Sequence, residues 1–223
     1  MNKAVVLLSG GMDSTAILHY VTKRLKVPEI YALSFIYGQK HFCELEMANW
    51  QAKSVEVTDY KKIDISSFSG LIAGSSALTD EHINVPDLVD IDKNQRTQPI
   101  TYVPNRNMVF LSLAAAYAET VDAQDIFYGA QAQDEYGYWD CTGAFVNRIN
   151  NVLSLNRKKT IIVHAPFVNK TKTEVLKIGL ELGVDYEHTW TCYRGGSAPC
   201  GTCPSCVERA AAFHNLDKID PLT

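Results

Sequence analysis

Four cysteines fall within fifteen residues near the end of the chain, in the pattern Cys192-x7-Cys200-x2-Cys203-x2-Cys206. Four thiolates this close can wrap a soft cation such as Zn²⁺ tetrahedrally at ~2.3 Å. Pro199, Gly201 and Pro204 supply the tight turns such wrapping needs. Four sulfur ligands leave no open coordination position, so a metal held here is structural rather than catalytic. An iron–sulfur cluster competes for the same ligands, and free thiols or two disulfides are the plainer alternatives. Cys43 and Cys141 stand alone, and neither shows a neighbouring base. Cys43 falls in a helical stretch and reads as a small core residue.

A second centre is the string Ser9-Gly10-Gly11-Met12-Asp13-Ser14. It follows a short apolar run and precedes a helical pattern. Two glycines allow a tight turn with room for a ligand oxygen. The helix start offers unpaired N–H groups and the positive dipole end, which suit an anion. Ser9 and Ser14 add hydroxyl donors. No Gly-Lys-Ser/Thr follows, and the third glycine of a dinucleotide fingerprint is missing. Gly-Gly alone would be a simple strand-to-helix turn; the whole string at the first β–α junction favours phosphate.

Further candidates are scattered. Arg106 stands just after Pro104 at a helix start, where the dipole disfavours a cation. Gln39, Lys40 and His41 follow the second strand, and Lys40 could neutralise phosphate. Asp134, Glu135 and Asp140 interleave with Tyr136, Tyr138 and Trp139. Carboxylates could accept from the N–H edge of a guanine-like ring while the aromatics stack on it. The alternative is a half-exposed loop packing its rings on the core. His19, His82, His164, His188 and His214 show no ligand spacing and read as structural or surface residues.

The elements that must carry these residues alternate. Lys3 to Leu8 reads as a buried strand. The next helix has Asp13 or Ser14 as cap and Ile17, Tyr20, Val21 and Leu25 as its apolar face. Strands are expected over 30–36, 54–58, 125–130 and 160–163. Helices are expected over 41–53, from Asn107 with Met108, Leu111, Ala115 and Ala118 on one face, and over 145–153, 171–182 and 205–213. Residues 64–99 show no sustained period and read as a long lid, binding loop or disordered excursion. Strands alternating with helices predict an α/β fold, a doubly wound and mainly parallel sheet. Its expected division is an α/β domain over 1–186 and a small four-cysteine region over 187–223.

The 223 residues carry 21 Lys and Arg against 25 Asp and Glu, a net charge of −4. That balance argues against stable nucleic-acid binding. No apolar run reaches the ~18 residues of a membrane span. The N-terminus MNKAVVLLSGG has a short apolar run and no spaced cleavage site, so a cytoplasmic, reducing location is expected.

The loop string resembles the pyrophosphate loop (PP-loop) of the ATP-pyrophosphatase superfamily. Loop and cysteine cluster together resemble the 7-cyano-7-deazaguanine synthase family of the queuosine pathway. Shorter matches run along most of the chain. They include Tyr37-Gly38-Gln39-Lys40-His41 with Glu44-Leu45, Val103-Pro104-Asn105-Arg106-Asn107, Gly129-Ala130, Gly137-Tyr138, Asp140-Cys141, Lys172-x-Glu174, Trp190-x-Cys192-Tyr193 and Cys206-x-x-Arg209. The resemblance implies a ligase using ATP to turn 7-carboxy-7-deazaguanine and ammonia into the nitrile through an adenylate and an amide, with Mg²⁺ assisting. It implies ATP at Leu8, Ser9, Gly10, Gly11, Met12, Asp13, Ser14, Thr15, Ala16, Ile17 and Leu18. Catalytic roles are implied for Asp13, Ser14, Lys40 and Arg106, and structural Zn²⁺ on Cys192, Cys200, Cys203 and Cys206. Substrate contacts are implied for Gln39, His41, Arg106, Asn107, Gln131, Asp134, Tyr138 and Asp140, in a homodimer. The sequence departs from the pattern at Lys40, Asn105, Trp139 and Thr142. The last two fall in the expected substrate loop, which keeps a paralogue acting on another deazaguanine or carboxylate in view. A tRNA-modifying relative or a zinc-ribbon interaction module are the remaining alternatives.

Overall fold

The computed structural model describes the chain apart from residues 41–42, 92–97 and 133–136. Its sheet has five parallel strands: β1 (Lys3–Leu7), β2 (Glu29–Ile36), β3 (Asp59–Asp64), β4 (Asp125–Phe127) and β5 (Ile162–His164). They lie in the order β3-β2-β1-β4-β5. Parallel neighbours need crossovers, and the helices supply them on both faces. Strand β1 shows why. Val5 joins one hydrophobic cluster with Leu33 and Ile126, while its neighbours Ala4 and Val6 join the other with Ala32 and Phe127. Successive side chains point to opposite faces, so the unbroken apolar run Ala4–Leu7 must be covered on both sides. Helices α4 (Arg106–Thr120) and α5 (Gly143–Leu153) cover the Val5 face through Leu111, Ala114, Ala118 and Phe145. On the opposite face lie α1 (Met12–His19), α2 (Cys43–Ser54) and α6 (Lys172–Glu181), through Ile17, Ala48 and Val175. The doubly wound expectation holds.

Strand order reverses between β1 and β4, whose chains leave toward opposite neighbours. In such sheets the crevice beyond the strands' carboxyl ends is the natural ligand site. The chain then closes with α7 (Pro204–His214), packed beside α6.

Several expectations need correction. The third strand is not 54–58: α2 runs to Ser54, and Glu56 adopts a left-handed φ of 53° to end it. The strand is the charged segment Asp59–Asp64, with Lys61 and Lys62 on a sheet edge, where charge blocks further pairing. Strand β4 ends at Phe127, three residues early, and β5 begins at Ile162. Helix α1 gives way to a wider π-helical turn at Tyr20–Arg24, which rotates the apolar stripe and leaves Leu25 40% exposed. Asp13 and Ser14 lie inside α1, whose cap is Gly11. Met108 is 36% exposed rather than on the core face. The 64–99 excursion holds a short helix α3 (Ser67–Leu71) and a 3-10 turn (Leu88–Asp90), and Ala77, Leu78 and Val85 reach the core.

Candidate active site in the β1–β4 crevice

The loop after β1 is built by its own hydroxyls. Ser14 Oγ accepts from Ser9 N–H at 3.1 Å and donates to Gly11 O at 3.2 Å. The Ser9 and Ser14 hydroxyls meet at 2.9 Å, and Gly11 N–H donates to Ser9 Oγ at 3.2 Å. Gly10 has φ +89°, and a Cβ there would stand 2.0 Å from Glu44 O of α2. Across the crevice a Cβ on Gly129 would come within 3.0 Å of Ser14 N. Gly10 thus seats the loop against α2, and Gly129 brings the chain after β4 against the α1 N-terminus, leaving a cradle for an anion between them. Ser9, Gly11, Met12, Asp13 and Ser14 line the cavity, as does Leu8. Thr15, Ala16, Ile17 and Leu18 continue into the buried body of α1 and do not.

Lys172, the first residue of α6, reaches this cradle. It is 6% exposed; its ammonium lies 3.1 Å from Asp13 Oδ2 and 3.8 Å from Glu208 Oε2 of α7. Asp13 Oδ1 is buried and has no hydrogen-bond partner among the described residues. A cation at a helix N-terminus is disfavoured unless anions surround it, and here two carboxylates do. Burial pushes the Glu208 carboxyl up, opposed by the neighbouring ammonium.

The opposite wall carries Arg106 at the start of α4. Its guanidinium lies over the Tyr37 ring, 5.8 Å from the centroid, and donates to Tyr37 Oη at 3.4 Å. Burial works against its charge, but Tyr37, Cys141 and Asp140 around it hold the proton more firmly than in water. Phe35 and Phe110 stack at 4.1 Å beside it, and Glu44, Tyr128, Tyr138, Trp190 and Tyr193 complete an aromatic-rich lining.

The four cysteines converge below this wall. One sulfur from each lies within 4.8 Å of all the others. A tetrahedron of ~2.3 Å metal–sulfur bonds has edges of ~3.8 Å, so one ion fits with small shifts. Hydrogen bonds from Cys203 and Cys206 hold the Cys192 thiol far below its ordinary range, while Cys192 drives Cys206 far above. A cation among the four sulfurs would share their charge and let all four ionise together. Cys203 caps α7, Pro204 follows at its first position, and Cys200 Sγ receives the Cys203 N–H at 3.4 Å. The cluster is tied to the Ser9–Ser14 loop: Trp190 N–H donates to Gly10 O at 2.9 Å, and its indole N–H to Cys192 O at 3.1 Å.

The sequence profile of the queuosine biosynthesis protein QueC family matches residues 3–217. The chain belongs to that family. It is 45% identical to the 7-cyano-7-deazaguanine synthase of Clostridium kluyveri, over 100% of this chain and 97% of the relative. The synthase of Hahella chejuensis is also 45% identical, over 99% and 92%. Among solved structures, the NMN synthetase of Francisella tularensis superposes with a TM-score of 0.53 at 13% identity, over 98% of this chain and 78% of that one. That likeness shows the shared fold.

Within this QueC-family chain, the expected site residues separate. Arg106, Asn107 and Tyr138 line the cavity with the loop. Gln39 also lines it, but both ends of its amide hold the turn after β2, on Tyr37 N–H at 2.8 Å and Phe35 O at 3.0 Å. Lys40 is not in the lining. Its ammonium donates to Ile83 O at 2.7 Å, beside a separate hollow with Asn84, Val85 and Arg194. Gln131 and Asp140 are buried behind the lining. His41 and Asp134, with Glu135 and Tyr136, lie outside the described residues. The departures Trp139 and Thr142 do not face the cavity: Trp139 donates to Tyr102 Oη at 2.7 Å, and Thr142 caps α5 by accepting from Phe145 N–H at 3.1 Å. Lys172, Glu44 and Trp190 match the family pattern in sequence, yet no site role was expected of them. A lysine opening a helix at Thr171-Lys172 is a signal of the same kind as Arg106.

Proposed function

We propose that this chain is a 7-cyano-7-deazaguanine synthase, converting 7-carboxy-7-deazaguanine and ammonia to the nitrile with ATP. The observation that carries the reading is the crevice itself: a donor-lined cradle with Lys172 faces Arg106 across an aromatic cavity at the strand-order reversal. The synthase names of full-length relatives support it.

In this reading residues 1–186 bind nucleotide and 187–223 hold the metal. The Ser9–Ser14 N–H and hydroxyl groups and Lys172 take the β- and γ-phosphates. Arg106 takes the carboxylate and turns it toward the α-phosphorus. A carboxylate oxygen attacks there and pyrophosphate leaves, its charge spread over these donors. Ammonia then attacks the acyl carbon and AMP departs, leaving the amide. A second ATP activates the amide oxygen by the same route, and departure of AMP carrying that oxygen, with both N–H protons passing to solvent, gives the nitrile. Ordering the partners supplies most of the rate, and no covalent nucleophile is needed. Asp13, whose Oδ1 is unpartnered among the described residues, would hold Mg²⁺, which supplies charge neutralisation to the leaving pyrophosphate. Cys192, Cys200, Cys203 and Cys206 would hold Zn²⁺ as a structural ion. The resemblance adds a homodimer in a cytoplasmic setting. Among the described residues no helix is long and apolar enough to cross a membrane.

The test is incubation of purified protein with the acid, ATP, Mg²⁺ and ammonium, read by mass spectrometry. Nitrile with AMP and pyrophosphate is expected. Amide as sole end product would remove the dehydration, and no turnover of the acid would remove the substrate.

A further inference from the structure

We infer that Asp140 is a positioning residue for Arg106, setting the site's preference for a carboxylate-bearing ring, and does not itself read the ring's N–H edge. The inference rests on the substrate reading above. Asp140 is 3% exposed and absent from the cavity lining. Its Oδ2 instead accepts the backbone N–H of Asn107, at 3.2 Å, in the first turn of α4. That turn lacks an ordinary cap. The residue before it, Asn105, sits in the left-handed region at φ +54°, and its side chain accepts nothing from the helix. A carboxylate from a loop 33 residues downstream takes the place a local side chain would fill.

The consequence falls on the neighbouring residue. Arg106 opens α4, where the helix dipole repels its charge. Asp140 lies near enough to favour the guanidinium. Its carboxylate is engaged by the Asn107 N–H rather than by the guanidinium donors. The same loop is locked to the helix start a second time: Asn107 Nδ2 donates to Asp140 O at 3.4 Å and to Cys141 Sγ at 3.2 Å. Tyr128 Oη, just beyond β4, also donates to Asp140 O at 3.4 Å. Arg106 is thus held over Tyr37 by a helix start that Asp140 fixes, with donors left for a ligand anion.

The experiment is calorimetric titration of the full chain with three probes: 7-carboxy-7-deazaguanine, 7-deazaguanine lacking the acid, and the carboxylated ring lacking its 2-amino group. Asp140→Ala removes both the acceptor for the Asn107 N–H and the charge. It should weaken both carboxylated probes alike, about tenfold, and leave 7-deazaguanine within about twofold. In an Arg106→Ala background the same change should add nothing, since residues acting as one unit are not additive. Asp140→Asn, keeping an acceptor for the Asn107 N–H, should recover part of the affinity. Loss confined to probes carrying the 2-amino group, or equal on 7-deazaguanine, would show that Asp140 reads the ring and overturn the inference. Parent-like affinity in both Asp140→Asn and Asp140→Ala would overturn it too. Failure of the parent protein to bind the acid would instead remove the substrate reading, and this inference with it.

Discussion

Replacing Gly10 by alanine tests whether the proposed phosphate cradle is built by close backbone approach. The added Cβ would stand 2.0 Å from Glu44 O and 2.7 Å from Ala48 N, both backbone atoms of α2 that no rotamer change can move. Its φ of +89° is also a conformation that L side chains disfavour. The left-handed backbone costs about 1–2 kcal/mol, and forced overpacking about 1–3 kcal/mol. The total of roughly 2–5 kcal/mol is a large part of a domain's stability, and at ~2–4 °C per kcal/mol it lowers Tm on the order of 10 °C. Gly11 is the control. Its φ is −79°, and a Cβ there would meet Ser9 Oγ at 3.3 Å, the end of a movable side chain. Gly11→Ala should therefore melt near the parent and lose chiefly nucleotide affinity. Paired thermal denaturation and ATP titration decide the matter. A Gly10→Ala protein that melts with Gly11→Ala and binds ATP as the parent does would refute the reasoning.

Lys172→Ala should abolish pyrophosphate release while circular dichroism and metal content stay unchanged; near-normal turnover would remove Lys172 from the phosphate site. Cys203→Ser should lower both bound metal, read by elemental analysis, and Tm, because metal binding is partly folding energy; a well-folded parent without metal would defeat the Zn²⁺ assignment. Arg209 donates twice to Asp220, at 2.7 and 2.8 Å, with both side chains buried. Arg209→Ala leaves that carboxylate without its partner and should cost about 3–5 kcal/mol, visible as a reduced denaturant midpoint at unchanged slope.

Much of the site could be read from the residues because its chemistry is local. Gly10, Ser9 and Ser14 form their cradle within six positions, and the four cysteines within fifteen. Lys40 and Asp140 could not be read this way. Whether Lys40 points into the crevice depends on Ile83 O, supplied by a segment with no periodic pattern. Asp140 looks like a ring reader by composition, yet its partner is a backbone N–H on another helix. Strand β3 escapes a reading of spacing for a related reason. Asp59–Asp64 has no fully buried side chain, and its strand character comes from pairing with β2 along six residues. Edge strands are defined by neighbours, and neighbours are not written in sequence spacing.

The single hydrogen bond from Trp190 N–H to Gly10 O has a thermodynamic consequence. One end belongs to the segment that runs into Cys192, the other to the cradle proposed to receive phosphates. If filling one site alters the other through this bond, the two affinities form a closed cycle and must change by the same factor. Nucleotide should tighten metal binding, read as equilibrium affinity against a competing chelator, by the same factor by which metal tightens nucleotide binding. A cell short of metal would then release it last from the copies of this protein that are already at work.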